Sequence, residues 1–472
     1  MRTALALLAC AALGCNTSAP VLLPPPFGPT AAPTPYRLYF PTGLAVTKDQ
    51  SMLLVANGDF DHAFDASTMV ALDTAYLGTL FDQQLDCSHA LYGAPAKTGC
   101  DIDVLQNQQA FLGAAIIGNY SGPLALYEPA SGGTTAFVAA RDTNLLHAVS
   151  VGAPGQPVLS CRNHPGVDCR DGVQDLLATA TLEGPYAVVL GDVVAPGSSV
   201  HQDTLFVGEL VPHINIVGDT TLTQANVAAL DAANPTAPPL FTMVASDFSV
   251  TAGAGIGPMT FDPVRRQLYA SGCYTRYPNP SQGAPLSAKC SGATANYLRE
   301  LSPDAGANAG MRAVSISEQI RSTDTSDLLL GELDPVTGAH TLFATVRNPD
   351  ALLTISIPDD PTREAHVQHA TALPVSPGAM LRIPRPGLGD LLLISATKTG
   401  LVDVFDVAQD QVVGQIERLG DTPFAMARLP SPANVARVAV SVFGDCRIGL
   451  MEVPLDKPWN ATLRARVGAC PP

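Results

Sequence analysis

One unit recurs along this chain of 472 residues: an apolar strand led by Pro or Gly, a gap, a second apolar strand ending on a small residue, a turn, and a third, alternating strand. It is plainest in Phe40–Val46, Met52–Asn57 and Met69–Asp73. Pro258–Phe261 with Gln267–Ser271 repeats its first half. Pro423–Ala427, Val438–Val442 and Arg447–Val453 repeat all of it, and Asp390–Ala396 leads in the same way to Leu401–Asp406. Phe137–Val151 aligns with Phe343–Ile357, with Phe, Arg, Leu and Ser at the same offsets. Second strands start near residues 53, 137, 205, 268, 343, 391 and 438, which makes seven units roughly 64 residues apart. A short amphipathic sheet cannot bury its own faces, but units stacked in a ring bury one another's.

The expected fold is therefore all-β, a seven-bladed β-propeller with loop insertions. A β-sandwich array is the alternative, and the long period and the likeness of the units count against it. A four-stranded blade needs about 40–50 residues, so the surplus belongs in insertions, longest at 78–115, 152–182 and 272–310. Residues 101–115 are expected to carry a short helix, and the fifth unit, around 326–357, is the least regular. Composition agrees: 40 Gly and 41 Pro supply the turns, and 46% hydrophobic against 14% charged residues excludes a disordered chain.

The N-terminus points to export. Met1-Arg2 precedes an apolar stretch, Thr3 to Leu13, of signal-peptide length and too short to span a bilayer. It ends Ala12-Leu13-Gly14-Cys15, small residues before a cysteine, as in a bacterial lipobox. Residues 1–14 read as a lipoprotein signal peptide, Cys15 as the lipidated N-terminus, 15–35 as a Pro-rich tether and 36–472 as the propeller. A simple secretory signal cut elsewhere is the alternative. Asn16 to Pro35 carries no charge and holds Pro24-Pro25-Pro26, an extended spacer. No later run of 18 apolar residues occurs, so the body is expected to be tethered rather than embedded.

With Cys10 and Cys15 set aside, eight cysteines fall into four neighbouring couples: Cys87 and Cys100, Cys161 and Cys169, Cys273 and Cys290, Cys446 and Cys470. Eight cysteines allow 105 connectivities; sequential disulfides are the economical choice. None of the couples has the spacing of a zinc site. A bridge from Cys446 to Cys470 is expected to fasten a terminal strand near 460–468 to its own blade. Tyr36–Phe40 is expected to pair with that blade and close the ring.

The strand Leu53–Asn57, its preceding Pro-x-Gly-x-Ala-Val and the following Val-x-x-Leu-Asp resemble the YVTN repeat of YncE-like and lactonase-like seven-bladed propellers. The resemblance spans most of 36–470 and is clear in the first, fourth, sixth and seventh units. It implies the fold; propellers host unrelated activities, so it implies little about chemistry.

In such a ring the turns between second and third strands share one rim of the central channel. Those turns carry Asp59, Asp61, Arg141, Asp142, Glu209, His213, Tyr274, Arg347, Lys398, Asp445 and Arg447, a candidate site for a polar or ionic ligand. Asp59, Asp61 and Asp65 alternate as in a calcium loop without the rest of an EF-hand; calcium is the one cofactor candidate, and none is expected. No nucleophile elbow, zinc-protease, P-loop or dinucleotide motif occurs. The nine histidines are scattered, and His366 with His369 is a surface couple. A net charge of −16 without a basic cluster argues against nucleic acid. The function expected is that of a cell-envelope lipoprotein, outer-membrane-anchored on the periplasmic face or cell surface. Its monomeric propeller would bind an envelope protein, a polysaccharide or another ligand. The alternative is a lactonase-like hydrolase or other enzyme working at the channel mouth.

Overall fold

The computed structural model describes residues 22–27, 37–83, 85, 87, 100–102, 110–152, 155–194, 198–210, 213–217, 220–249, 255–272, 297–308, 311–315, 324–333, 338–360, 363 and 365–468. They form seven antiparallel sheets arranged as a β-propeller. Blade one comprises Pro41–Val46, Met52–Asn57, Ser67–Asp73 and Phe111–Ile117, from the channel outward. Blade two has Ala125–Tyr127, Thr134–Ala140 and Leu145–Val151, with Leu159–Cys161 and Gln174–Asp175 both on its outer edge. Blade three has Pro185–Val194, His201–Glu209 and Thr220–Asp231, the last flanked by His213–Val217 and Phe241–Ser249. Blade four has Met259–Asp262, Gln267–Gly272, Tyr297–Leu301 and Met311–Ser315. Blade five has Asp324–Leu333, His340–Arg347, Ala351–Ile357 and His366–Ala372. Blade six has Pro377–Ile383, Leu391–Ala396, Leu401–Asp406 and Gln411–Ile416. Blade seven has Pro423–Leu429, Val435–Val442, Arg447–Pro454 and Thr462–Val467. The second strands fall where the repeat places them, and the fifth unit is a four-stranded blade with register shifts at Thr325/Asp327, Leu330/Leu333 and Thr354/Ile355.

Seven apolar clusters hold the ring, one between each pair of adjacent blades. This is why second strands are apolar on both faces: Leu391–Ala396 is buried at every position, pressed by blade five on one side and blade seven on the other. The Pro that leads many inner strands also has a physical role. Register shifts fall at Pro41/Gly43, Pro185/Ala187, Pro377/Met380 and Pro423/Met426. A residue without an N–H suits the first position of a strand or a bulge, and the bulge turns the strand into the channel. Gly43 is needed for close approach, since a Cβ there would lie 2.8 Å from the Gly122 carbonyl of the next blade.

Ring closure differs from expectation. Leu38 to Phe40 form no strand with blade seven; Leu38 is buried between blades seven and one, and the Tyr39 and Phe40 carbonyls both accept from Gly58 N. The closing strand comes instead from the blade-one insertion. Asp101–Ile102, expected to begin a helix, pairs in parallel with Thr462–Val467 on the outer edge of blade seven. Arg466 N donates to the Cys100 carbonyl at 2.9 Å and Gly468 N to the Ile102 carbonyl at 3.0 Å. The helix of that insertion lies earlier, at Thr74–Asp82, capped by Asp73. It presses Leu77, Leu80 and Phe81 into the cluster between blades seven and one. Arg437 of blade seven reaches over the Phe81 ring at 4.7 Å and donates to Asp82 at 2.8 Å. A parallel two-residue pairing cannot be seen in local periodicity, because its partner lies more than 360 residues away.

Disulfides join Cys87 to Cys100 and Cys161 to Cys169, as the spacing predicts. Cys446 is disulfide-bonded; its expected partner Cys470, and Cys273 with Cys290, lie outside the described residues. Residues 22–27, within the segment expected to be a tether, dock on the body: Leu22 N donates to Asp65 at 2.5 Å, the Leu22 carbonyl accepts from Asp65 N, and Phe27 packs against the closure cluster. Among the described residues no helix is long and apolar enough to cross a membrane.

Candidate functional site

The inner strands of all seven blades surround a cavity of about 560 Å³ at the centre of the ring. That is within the range of roughly 300–1,000 Å³ typical of small-molecule sites. Its wall is largely apolar and aromatic, with Phe60, Tyr186, Phe424, Phe443 and methionines 259, 380 and 426. Its charged groups are Arg141 from the turn after the second strand of blade two, Arg347 at the end of the second strand of blade five, and Asp324 and Asp327 from the inner strand of blade five.

Arg141 sits in an aromatic cage. Its guanidinium carbon lies 5.6 Å from the Phe60 ring centroid and 5.4 Å from those of Tyr120 and Tyr186. The cage rings brace one another: Phe60 meets Tyr120 edge-on at 4.8 Å and Phe443 at 5.0 Å, and Phe443 in turn meets Phe40 at 4.9 Å. A guanidinium is attracted to ring faces, but such contacts do not neutralise its charge. The buried Arg141 Nε has no hydrogen-bond partner, and no carboxylate among the described residues pairs with the side chain.

The acidic side of the cavity is arranged differently. Asp324 and Arg347 face each other at 3.6 Å, and Arg347 Nε also donates to the Pro377 carbonyl at 3.2 Å. Asp327 Oδ1 accepts from Leu328 N at 2.9 Å and Oδ2 from Met380 N at 2.6 Å. Burial pushes the Asp327 carboxyl up to about 7, against the opposing pull of those two backbone N–H groups. Burial raises the Tyr186 hydroxyl, with Arg141 and Arg347 opposing the rise and Asp327 adding to it.

The other rim candidates serve the scaffold. Asp59 is fully buried; its Oδ2 accepts from Phe64 N at 3.3 Å, and burial, with nearby Asp61 adding to it, pushes it up to about 7. Asp61 accepts from the Tyr39 hydroxyl at 2.6 Å, and Asp65 is engaged with Leu22. Among the described residues no group of three or more His, Cys, Asp or Glu is placed to hold a metal. Glu209 is buried and accepts from Glu183 N and Asn226 N, with burial raising it to about 8. Lys398 and Asp142 are exposed on turns, Asp445 accepts from Asp421 N at 3.1 Å, and Arg447 donates to the Gly468 carbonyl. His213 begins an outer strand of blade three, and Tyr274 lies outside the described residues. His366 and His369 stand on the outermost strand of blade five.

Of the rim set, then, Arg141 and Arg347 are brought together at the cavity. Phe60, Tyr120, Tyr186, Asp324 and Asp327 were not singled out in advance. Tyr186 follows Pro185 at the head of an inner strand, a position that the repeat could have marked. Asp324 and Asp327 head the one inner strand that lacks a leading Pro or Gly. The polar groups of the described lining are Arg141, Arg347, Asp324, Asp327, the Tyr186 hydroxyl and several Ser and Thr hydroxyls.

No family model matches the sequence, and no curated protein matches it. Solved structures with a similar fold include the periplasmic gluconolactonase PpgL of Pseudomonas aeruginosa, 14% identical with a TM-score of 0.43 over 87% of this chain and 90% of that one. The β-propeller domain of Myceliophteria thermophila Cps50 (Swd1) is 9% identical, with a TM-score of 0.43 over 88% and 96%. A Lactobacillus plantarum protein is 11% identical, with a TM-score of 0.40 over 79% and 82%.

Proposed function

We propose that this chain is an exported, lipid-anchored propeller of the cell envelope that works as a binding module, with its ligand held at the mouth of the central channel. The observation that carries the binding site is Arg141: a cation caged by three rings, in a central cavity, without a carboxylate partner among the described residues. An uncompensated charge in a partly dry cavity is costly to the free protein and gains most from a ligand that neutralises it. The lipobox-like Ala12-Leu13-Gly14-Cys15 and the uncharged Pro-rich stretch behind it support the anchor.

The binding site is tested by thermal shift of the mature chain against small carboxylates, amines, sugars and sugar lactones. At least one compound should raise the melting temperature of the wild type and leave that of Arg141→Gln unchanged. A panel without any stabilising compound refutes the site, and lactone turnover lost in Arg141→Gln would replace binding by hydrolysis. Palmitate labelling abolished by Cys15→Ser is expected; labelling that survives refutes the anchor.

A further inference from the structure

The cavity contains two unneutralised charges of opposite sign. Arg141, on blade two, has no carboxylate partner among the described residues. Asp327, on blade five, has no cationic partner among the described residues, where its two hydrogen bonds come from backbone N–H groups. The other two charged groups of the wall, Asp324 and Arg347, already face each other. Blades two and five are three steps apart in the ring of seven, and Arg141 and Asp327 both line the cavity without an ion pair between them. A carboxyl raised to about 7 is what burial without a neighbouring cation produces.

Building on the channel-mouth reading above, the geometry points to a small zwitterion as the ligand, a free amino acid or short peptide whose carboxylate meets Arg141 and whose ammonium meets Asp327. The chemistry suits both ends. A guanidinium offers paired N–H donors that match a carboxylate. An ammonium carries three donors and can use the lone pairs that Asp327 does not give to Leu328 N and Met380 N. The same wall carries Tyr186, Met259, Met380 and Phe424, a surface for a hydrophobic side chain. A purely anionic ligand would favour the protonated form of Asp327 and use none of its charge, and a purely cationic one would leave Arg141 uncompensated.

The test uses the mature chain in detergent and calorimetric titration with L-alanyl-L-phenylalanine, its N-acetyl form, its C-terminal amide, and 3-phenylpropanoate. The free dipeptide should bind, with each blocked form at least tenfold weaker. Arg141→Gln should remove the penalty for the amide alone, and Asp327→Asn the penalty for the acetyl form alone. These paired losses belong to two ends of the ligand and do not follow from general misfolding. Blocked forms that bind as well as the free dipeptide overturn the inference. So does binding of 3-phenylpropanoate alone, although that result keeps a ligand in the channel and leaves the proposed function standing. Failure of all four probes also overturns it, and the broader thermal-shift panel then judges the binding site separately.

Discussion

The ring is closed by a device that Asp101→Asn should disable. Arg466 on the last strand is fully buried, and it grips Asp101 through Nε at 2.7 Å and Nη2 at 3.0 Å. Arg447 Nη1 stands 3.8 Å from the same carboxylate. Substitution with Asn preserves shape but removes the charge that both guanidiniums face. Breaking a buried pair by removing one partner costs about 3–5 kcal/mol. Unfolding entropy of about 2.1 cal/mol/K per residue, over a body of roughly 430 residues, makes 1 kcal/mol worth about 1 °C. Asp101→Asn should therefore lower the melting temperature by about 3–5 °C. It should also raise amide exchange in Thr462–Val467 before the rest of the ring opens. Asp82→Asn is the matched control, because Asp82 bonds Arg437 at 2.8 Å from a side chain 73% exposed. Such a surface pair contributes at most about 1 kcal/mol. Calorimetry and hydrogen exchange on both variants decide the matter. Equal shifts in the two, or an Asp101→Asn protein whose last strand exchanges no faster than wild type, would show that the Asp101–Ile102 pairing does not hold the ring shut.

Asp59 should make the protein less stable as pH rises. Its folded pKa is raised, chiefly by burial, to about 7. Between about pH 4 and 7 the folded state therefore retains a proton that the unfolded chain has lost, and stability falls across that window. Asp59→Asn, which tolerates the left-handed φ of 45° at this position, should flatten the fall and stabilise the protein at pH 8 by up to about 4 kcal/mol. Urea unfolding at pH 5 and pH 8 measures it, and an unchanged pH slope counts against the assignment. Gly58→Ala places a Cβ 2.2 Å from the Phe60 ring, so the ring must move off Arg141. Binding at the channel mouth should weaken several-fold with little loss of melting temperature, and calorimetric titration with an unchanged affinity would refute the cage. Cys446→Ser together with Cys470→Ser should lower the melting temperature by several degrees; an unchanged midpoint in calorimetry would remove the terminal bridge from the account.

The contrast between the two arginines shows how far the channel mouth was legible beforehand. Arg141 and Arg347 sit at the same offset of the same repeat, and the repeat alone predicts that both reach the rim. It does not predict that one is paired to Asp324, its cross-strand partner within blade five, and the other caged by rings, two of which come from the blades on either side. Tyr120 lies before the inner strand of blade two, Tyr186 on that of blade three, and Phe60 in a blade-one turn. Local patterning carries no information about such neighbours. Glu209 marks the opposite limit. It occupies a rim position by sequence, yet it is fully buried and does not line the cavity, and two backbone N–H groups hold its carboxylate within the scaffold.

Seven units, their second strands, the turn-formers between them and two of the disulfide couples were determined by sequence, because each depends on residues close together in the chain. Apolar strands at a steady period must stack to bury both faces, and stacking units of one kind makes a ring. The closing strand at Asp101–Ile102 and the cavity with its two uncompensated charges were decided only by tertiary structure. Both arise where distant parts of the chain meet, and that meeting depends on how seven blades curve until the last reaches the first.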